Sequence, residues 1–224
     1  MPIEFHSDAL HSCQLARVTS VQDPDSLARV KVKLLTVDGD GEAEIWARVA
    51  VGFAGPDRGA FFIPDVDDEV LITFVGGDPR FPVVIGGLWN GGQNPPDQFS
   101  GNKVDRWTIT GKAGTKISII EESSSSAKIE FTTPNGVTGT LTDESGGSIK
   151  FADTAGNSIT IDSQGIALQA SAKVKVSAGQ VEISAGMVKV DAGLSKFSGV
   201  IKCDVLQATT VVASTYTPGA GNVW

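Results

Sequence analysis

The residues whose types and spacing could do chemistry are carboxylates gathered at two places. Asp38, Asp40 and Glu42 alternate with Gly39 and Gly41, as in a calcium loop. An EF-hand loop needs oxygen ligands at positions 1, 3 and 5, a glycine at 6 and a glutamate at 12. That register is absent here, and a solvated hairpin turn accounts for the cluster. Asp65, Asp67, Asp68 and Glu69 could serve as paired acids in a hydrolysis, but no histidine lies near them in sequence. A polar turn or a contact between copies is the simpler reading. No G-x-x-x-x-G-K-[ST] phosphate loop, G-x-S-x-G elbow or C-x-x-C pair occurs. Trp46, Phe53, Phe61, Phe62 and Phe74 could stack on nucleic-acid bases, but their neighbours are acidic rather than basic. Core packing and contacts between copies account for them better.

Composition points the same way. The 224 residues carry 18 basic and 26 acidic side chains, a formal charge of −8. Residues 1–95 hold 7 basic and 14 acidic residues (7 − 14 = −7), and 96–224 hold 11 and 12 (11 − 12 = −1), so the two halves are built differently. The acidic balance excludes a sequence-independent nucleic-acid binder. Two cysteines, Cys13 and Cys203, cannot form a disulfide framework and are expected as buried or free thiols. No apolar run reaches the ~18 residues of a membrane span. The N-terminus lacks the basic and apolar regions of a signal peptide. The expected history is synthesis in the cytoplasm, then export within something larger.

The elements that position these residues are all β. QLARVTSV (14–21), ARVKVKLL (28–35), IWARVAV (45–51), FFIP (61–64), DEVLITFV (68–75) and FPVVIGGLW (81–89) alternate or cluster apolar residues between Gly, Pro and Asp turns. Five or six short strands in about 80 residues fit a small barrel of the OB type. GGQNPPDQ (91–98) breaks the pattern. Short strands follow at 107–110, 116–120, 128–131, 148–151, 158–161, 165–169 and 173–176, with ESSSS (122–126) a looped-out insertion. The expected boundaries are an arm at 1–12, the barrel at 13–95, a neck at 96–110, a needle at 111–215 and a cap or tail at 216–224.

Three tandem heptads are the most regular feature: SAGQVEI (177–183), SAGMVKV (184–190) and DAGLSKF (191–197). Val181 and Ile183, then Val188 and Val190, sit two apart, as do Val174 and Val176 before them; this is strand periodicity. Gly179, Gly186 and Gly193 recur every seven residues as corners. A coiled coil would need apolar residues at 3.5-residue spacing, and each glycine would cost it about 1 kcal/mol. Seven residues cannot enclose a core in one turn of one chain, so several copies must share the winding. A single-chain β-solenoid is the alternative. The six valine and isoleucine positions are the expected trimer core. At about 4.8 Å between strands, about 14 layers would make a rod on the order of 65 Å long.

This order of parts resembles the central spike family of contractile injection machines, the phage baseplate assembly protein V and VgrG-type spikes. RVKVKL (29–34) and WARVA (46–50) look like the first strands of the family's OB domain. FFIPDVDDEVLITFVGGDPRFPVVIGGLWNGGQNPP (61–96) looks like its signature segment. The Gly/Val repeats look like its triple-stranded β-helix needle. The resemblance covers roughly residues 13–215. It implies a homotrimer whose OB heads meet a baseplate hub or the first ring of the inner tube. The needle would point outward, contact the target envelope transiently and pierce it.

Departures from the family pattern refine the expectation. A His-x-His iron apex near the C-terminus is missing; the histidines are His6 and His11. The resemblance then implies a needle without metal that ends bluntly near 205–215 and takes a separate PAAR-type tip protein. Only 12 residues precede the barrel, so the hub module of larger VgrG chains is expected on another protein. This favours a phage tail, a phage-like bacteriocin or an extracellular injection particle. The expectation is therefore an all-β chain, an N-terminal OB-fold barrel followed by an intertwined trimeric β-helix needle, with no enzymatic activity, cofactor or nucleic-acid partner. A phage tail-fibre or receptor-binding β-helix is the rival, though only about ten residues follow the rod where a binding domain would sit. A β-helical acyltransferase is a weaker rival, because neither histidine is placed for catalysis.

Overall fold

Alternation of β-branched residues with polar ones drives the first half of the chain to roll up. The computed structural model describes residues 12–35, 44–99 and 101–215. Strands β1 (Gln14–Ser20), β2 (Val30–Leu34), β3 (Glu44–Val49), β6 (Glu69–Phe74) and β7 (Pro82–Leu88) close into a barrel in the order β1-β2-β3-β7-β6. Neighbours are antiparallel except β3 and β7, which run parallel. Every second residue points inward: Ala16 and Val18, Val30 and Val32, Ala47, Val70, Ile72 and Phe74, and Val84 form one buried cluster. This is the OB barrel expected from the sequence. Between β3 and β6 lies a two-residue ribbon, β4 (Ala54–Gly55) with β5 (Arg58–Gly59).

FFIP (61–64) is not a strand. Pro64 offers no N–H to a ladder, and Phe61 and Phe62 stand 78% and 64% exposed. Of the aromatic candidates, Phe74 is in the core and Trp46 lies partly buried, its ring 5.8 Å from the Arg29 guanidinium carbon. The Asp38–Glu42 cluster, the arm at 1–11 with both histidines, and the tail from 216 lie outside the described residues.

The acidic turns of the barrel serve structure. In the β1–β2 turn, the Asp23 carboxylate accepts the backbone N–H groups of Asp25, Leu27 and Arg29 at 3.0–3.1 Å and pairs with the Arg29 side chain at 2.6 Å. The Arg29 guanidinium, then the turn amides, hold its carboxyl far below the usual range. In the 65–69 turn, Asp68 accepts the Asp65 N–H at 2.8 Å, and Glu69 accepts from Asn90 at 3.0 Å. Asp65 itself takes the ammonium of Lys112.

Beyond the neck the chain forms a seven-stranded antiparallel meander. Its strands are β8 (Arg106–Thr110), β9 (Lys116–Ile120), β10 (Lys128–Thr132), β11 (Thr138–Thr142), β12 (Ser148–Ala152), β13 (Ser158–Asp162) and β14 (Gly165–Gln169), each paired with its sequence neighbours. β8 starts inside the stretch read from sequence as the neck. The neck is pinned by Asp97, which accepts from Thr108 at 2.9 Å and pairs with Lys116 at 2.8 Å and Arg106 at 3.6 Å. Lys116, then Thr108, lower the Asp97 carboxyl to about 2. The compact unit containing barrel and meander ends at Lys173, and a second unit begins at Val174.

The Asp97 contacts predict an acid sensitivity of known sign. A carboxyl at about 2 in the fold and about 3.9 unfolded contributes stability that is complete above about pH 4 and lost as pH falls through 2. Denaturant midpoints measured from pH 6 to pH 2 should fall most steeply below pH 4. Asp97→Asn should flatten part of that fall; an identical pH profile for the variant would contradict the assignment.

Candidate trimer interface

Register in the meander sorts the side chains into two chemically different faces. On one face, cross-strand partners make an unbroken row: Trp107, Ile119, Ile129, Leu141, Ile149, Ile161 and Ile166. Beside it runs a second row: Ile109, Ile117, Phe131, Gly139, Phe151, Ile159 and Leu168. On the opposite face the matching row is Thr108, Ser118, Glu130, Thr140, Lys150 and Thr160, ending at the small Ala167. Polar groups thus line one side and an apolar stripe crosses the other. Six inter-strand steps at about 4.8 Å make the stripe about 30 Å long.

This stripe is open in the single chain. Apart from Ile149 and Gly139, its residues are 36% (Phe131) to 78% (Ile166) exposed. Monomers seldom leave so long an apolar band in water, and such bands mark contact surfaces. Covering the exposed part of each side chain stabilises by on the order of 1 kcal/mol. Gly139 is the one gap in the rows, and it is filled by a neighbour: a Cβ there would lie 1.9 Å from Phe131 Cζ. The Phe131 ring therefore lies over β11, with its centroid 5.8 Å from that of Phe151. Sequence reading missed β11, because TGTLT offers a single large apolar residue and its glycine looks like a turn.

The second unit, described by itself, carries the heptads. No strand occurs among its described residues. Val174, Val176, Val181, Ile183, Val188 and Val190 are 53–73% exposed. The sequence reads strands here and a lone chain shows none, because a strand requires a partner for its N–H and C=O groups. The chain bends at Gly179, Gly186 and Gly193 and runs without bends between them. A Cβ at any of these glycines would meet nothing within 4 Å, and none has a positive φ. The chain's own backbone thus does not demand glycine there. After Gly199 the bends come at Asp204, Thr209 and Ser214, five residues apart instead of seven.

Among the described residues, no group of three or more His, Cys, Asp or Glu could hold a metal ion. Cys13 and Cys203 are exposed free thiols. No helix among the described residues is long and apolar enough to cross a membrane.

Comparison with known proteins places both halves. Residues 14–89 match the family described as the type VI secretion system/phage-baseplate injector OB domain. Residues 128–193 match the phage baseplate V C-terminal trimerisation domain, which spans β10–β14 of the stripe and the heptads to Gly193. The trimerisation match supports a homotrimer. Similar proteins include the type VI secretion system spike proteins VgrG5 and VgrG4b of Pseudomonas aeruginosa, 33% and 38% identical over 110 residues, 46% of this chain and 14% of each relative. The actin cross-linking toxin VgrG1 of Vibrio cholerae is 34% identical over 59 residues, 26% of this chain and 5% of that protein. The chain spans about one seventh of the length of the two Pseudomonas relatives.

The Phe131–Gly139 contact yields a direct test. Gly139→Ala should lower the unfolding free energy by about 1–3 kcal/mol, the usual cost of overpacking. In a Phe131→Ala background the same change should cost far less, because the ring it strikes is gone. Equal costs in the two backgrounds, read from urea titrations, would place the ring elsewhere.

Proposed function

The chain belongs to the VgrG and baseplate V type of spike family, and from that premise we propose that it is the central spike of a contractile injection machine. Three copies join through the apolar stripes of their meanders. The heptads of all three wind together into a needle with Val174, Val176, Val181, Ile183, Val188 and Val190 inside. Gly179, Gly186 and Gly193 are its corners, kept small for the other chains. The shorter bend spacing after Gly199 narrows the winding toward its end, where a PAAR-type tip protein binds. The OB heads seat on a baseplate hub or on the first ring of the inner tube.

The role is mechanical. Contraction drives the needle through the target envelope, and the needle resists buckling because every backbone donor and acceptor is paired between chains. The observation that carries this reading is a segment with strand periodicity, residues 174–197, that has no strand partner in its own chain. Its apolar side chains lie in water until other copies cover them. Family matches to an OB domain and a trimerisation domain support the same reading. Chemistry plays no part in it: Asp23, Asp65, Asp68 and Glu69 are engaged in and around the turns of the barrel, and Asp97 holds the neck.

Deletions in the repeat test it. Removing one whole heptad, Ser184–Val190, keeps the phase of the winding. The protein should remain trimeric, its C-terminal segment should resist proteases, and particles carrying it should still deliver. Removing the six residues Ser184–Lys189 breaks the phase, and protease resistance and delivery should both be lost. If the two deletions behave alike, residues 174–215 are not wound around a shared axis.

A further inference from the structure

We propose that the heads of the trimer are locked to one another by an aromatic groove at the barrel–meander junction, which a second copy of this chain fills. The groove has a volume of about 510 Å³ and is lined by Phe62 and Trp89 from the barrel, by Asn94 and Pro96 from the neck, and by β8 around Ile109. Phe62 is 64% and Trp89 67% exposed, large amounts for side chains of this size.

Two observations identify the occupant as another copy. The first is continuity: Ile109 lines the groove and also begins the second row of the apolar stripe. The surface that joins the meanders therefore meets the groove at Ile109 and continues from there onto the barrel. The second is charge. Residues 1–95 carry 7 basic and 14 acidic side chains, so three heads brought together at a common axis repel one another. None of the groove's lining residues is charged, so like-charged heads can meet here. Exposed tryptophan and other aromatic side chains in a pocket are also the usual anchors of protein contacts.

The neck holds the groove in shape. Asp97, tied to Thr108, Lys116 and Arg106, fixes the segment that carries Pro96 against β8 and β9. The 65–69 turn is tied to Lys112 through Asp65 and to Asn90 through Glu69. The heads would then transmit force to the needle as one rigid collar rather than as three barrels on loose necks. Contacts around a three-fold axis join different patches of successive copies and close a ring, so one groove per copy suffices.

This inference rests on the trimer reading, and its test separates the two. Hydroxyl-radical labelling of the purified full-length protein, read by mass spectrometry, compares Trp89 and Phe62 with Phe81, which is 51% exposed and outside the groove. The mass of the same sample is measured by light scattering. With a trimeric mass, Trp89 and Phe62 should be labelled several-fold more slowly than Phe81. No other protein is present, so such protection in a trimeric sample comes from this chain. Labelling at the Phe81 rate in a trimeric sample would overturn the collar and leave the trimer intact. A monomeric mass would overturn both. In the variant Trp89→Ser, the trimer should persist through the stripe and the heptads, while Phe62 labelling should rise toward the Phe81 rate. Unchanged protection of Phe62 in that variant would also count against the collar.

Discussion

An apolar face and a strand edge both demand a partner, and the architecture of this protein follows from where it leaves those demands unmet. The barrel satisfies them within itself: five strands close, and Ile72, Val70, Val18 and their neighbours are fully buried. The meander satisfies only half. Its backbone pairs within the chain, but its two apolar rows from Trp107 and Ile109 to Ile166 and Leu168 face outward. The heptads satisfy neither, having strand periodicity without a ladder. Unmet demand thus increases along the chain, from a self-sufficient head to a segment with no strand partner of its own.

That gradient makes sense of the acidic residues which, by composition alone, looked most like chemistry. Asp23 closes a turn through its arginine and three amides. Asp65 fastens the barrel to the β8–β9 hairpin, Glu69 holds Asn90 at the barrel's exit, and Asp97 fastens the neck to the meander. These are joints. A carboxylate fully engaged with a lysine, an arginine or backbone amides is stabilised in its charged form and is a poor proton donor.

The barrel was legible in the sequence because each of its strands buries alternate residues between clear turn signals, and the heptads were legible because their period is regular. Other features were not. A strand paired within its own chain and a strand left without an intrachain partner share the same two-residue period, so the local pairing of β8–β14 could not be told from the unpaired heptads. β11 was hidden because Phe131 supplies the apolar surface that Gly139 lacks. FFIP looked like a strand by its hydrophobicity, yet its phenylalanines are exposed and outside any strand. The aromatic groove joins residues 62, 89, 96 and 109, which are distant in sequence, and only the packing of barrel, neck and β8 brings them together.

The central claim is that the exposed stripe and the unpaired heptads are completed by two further copies of the same chain. Its most direct test is the solution mass of the purified protein by light scattering, with a parallel gel run in SDS with and without prior heating. The account predicts a mass three times 23.3 kDa and a species that survives SDS until it is heated. A monomer, or an assembly that SDS separates without heating, would contradict it.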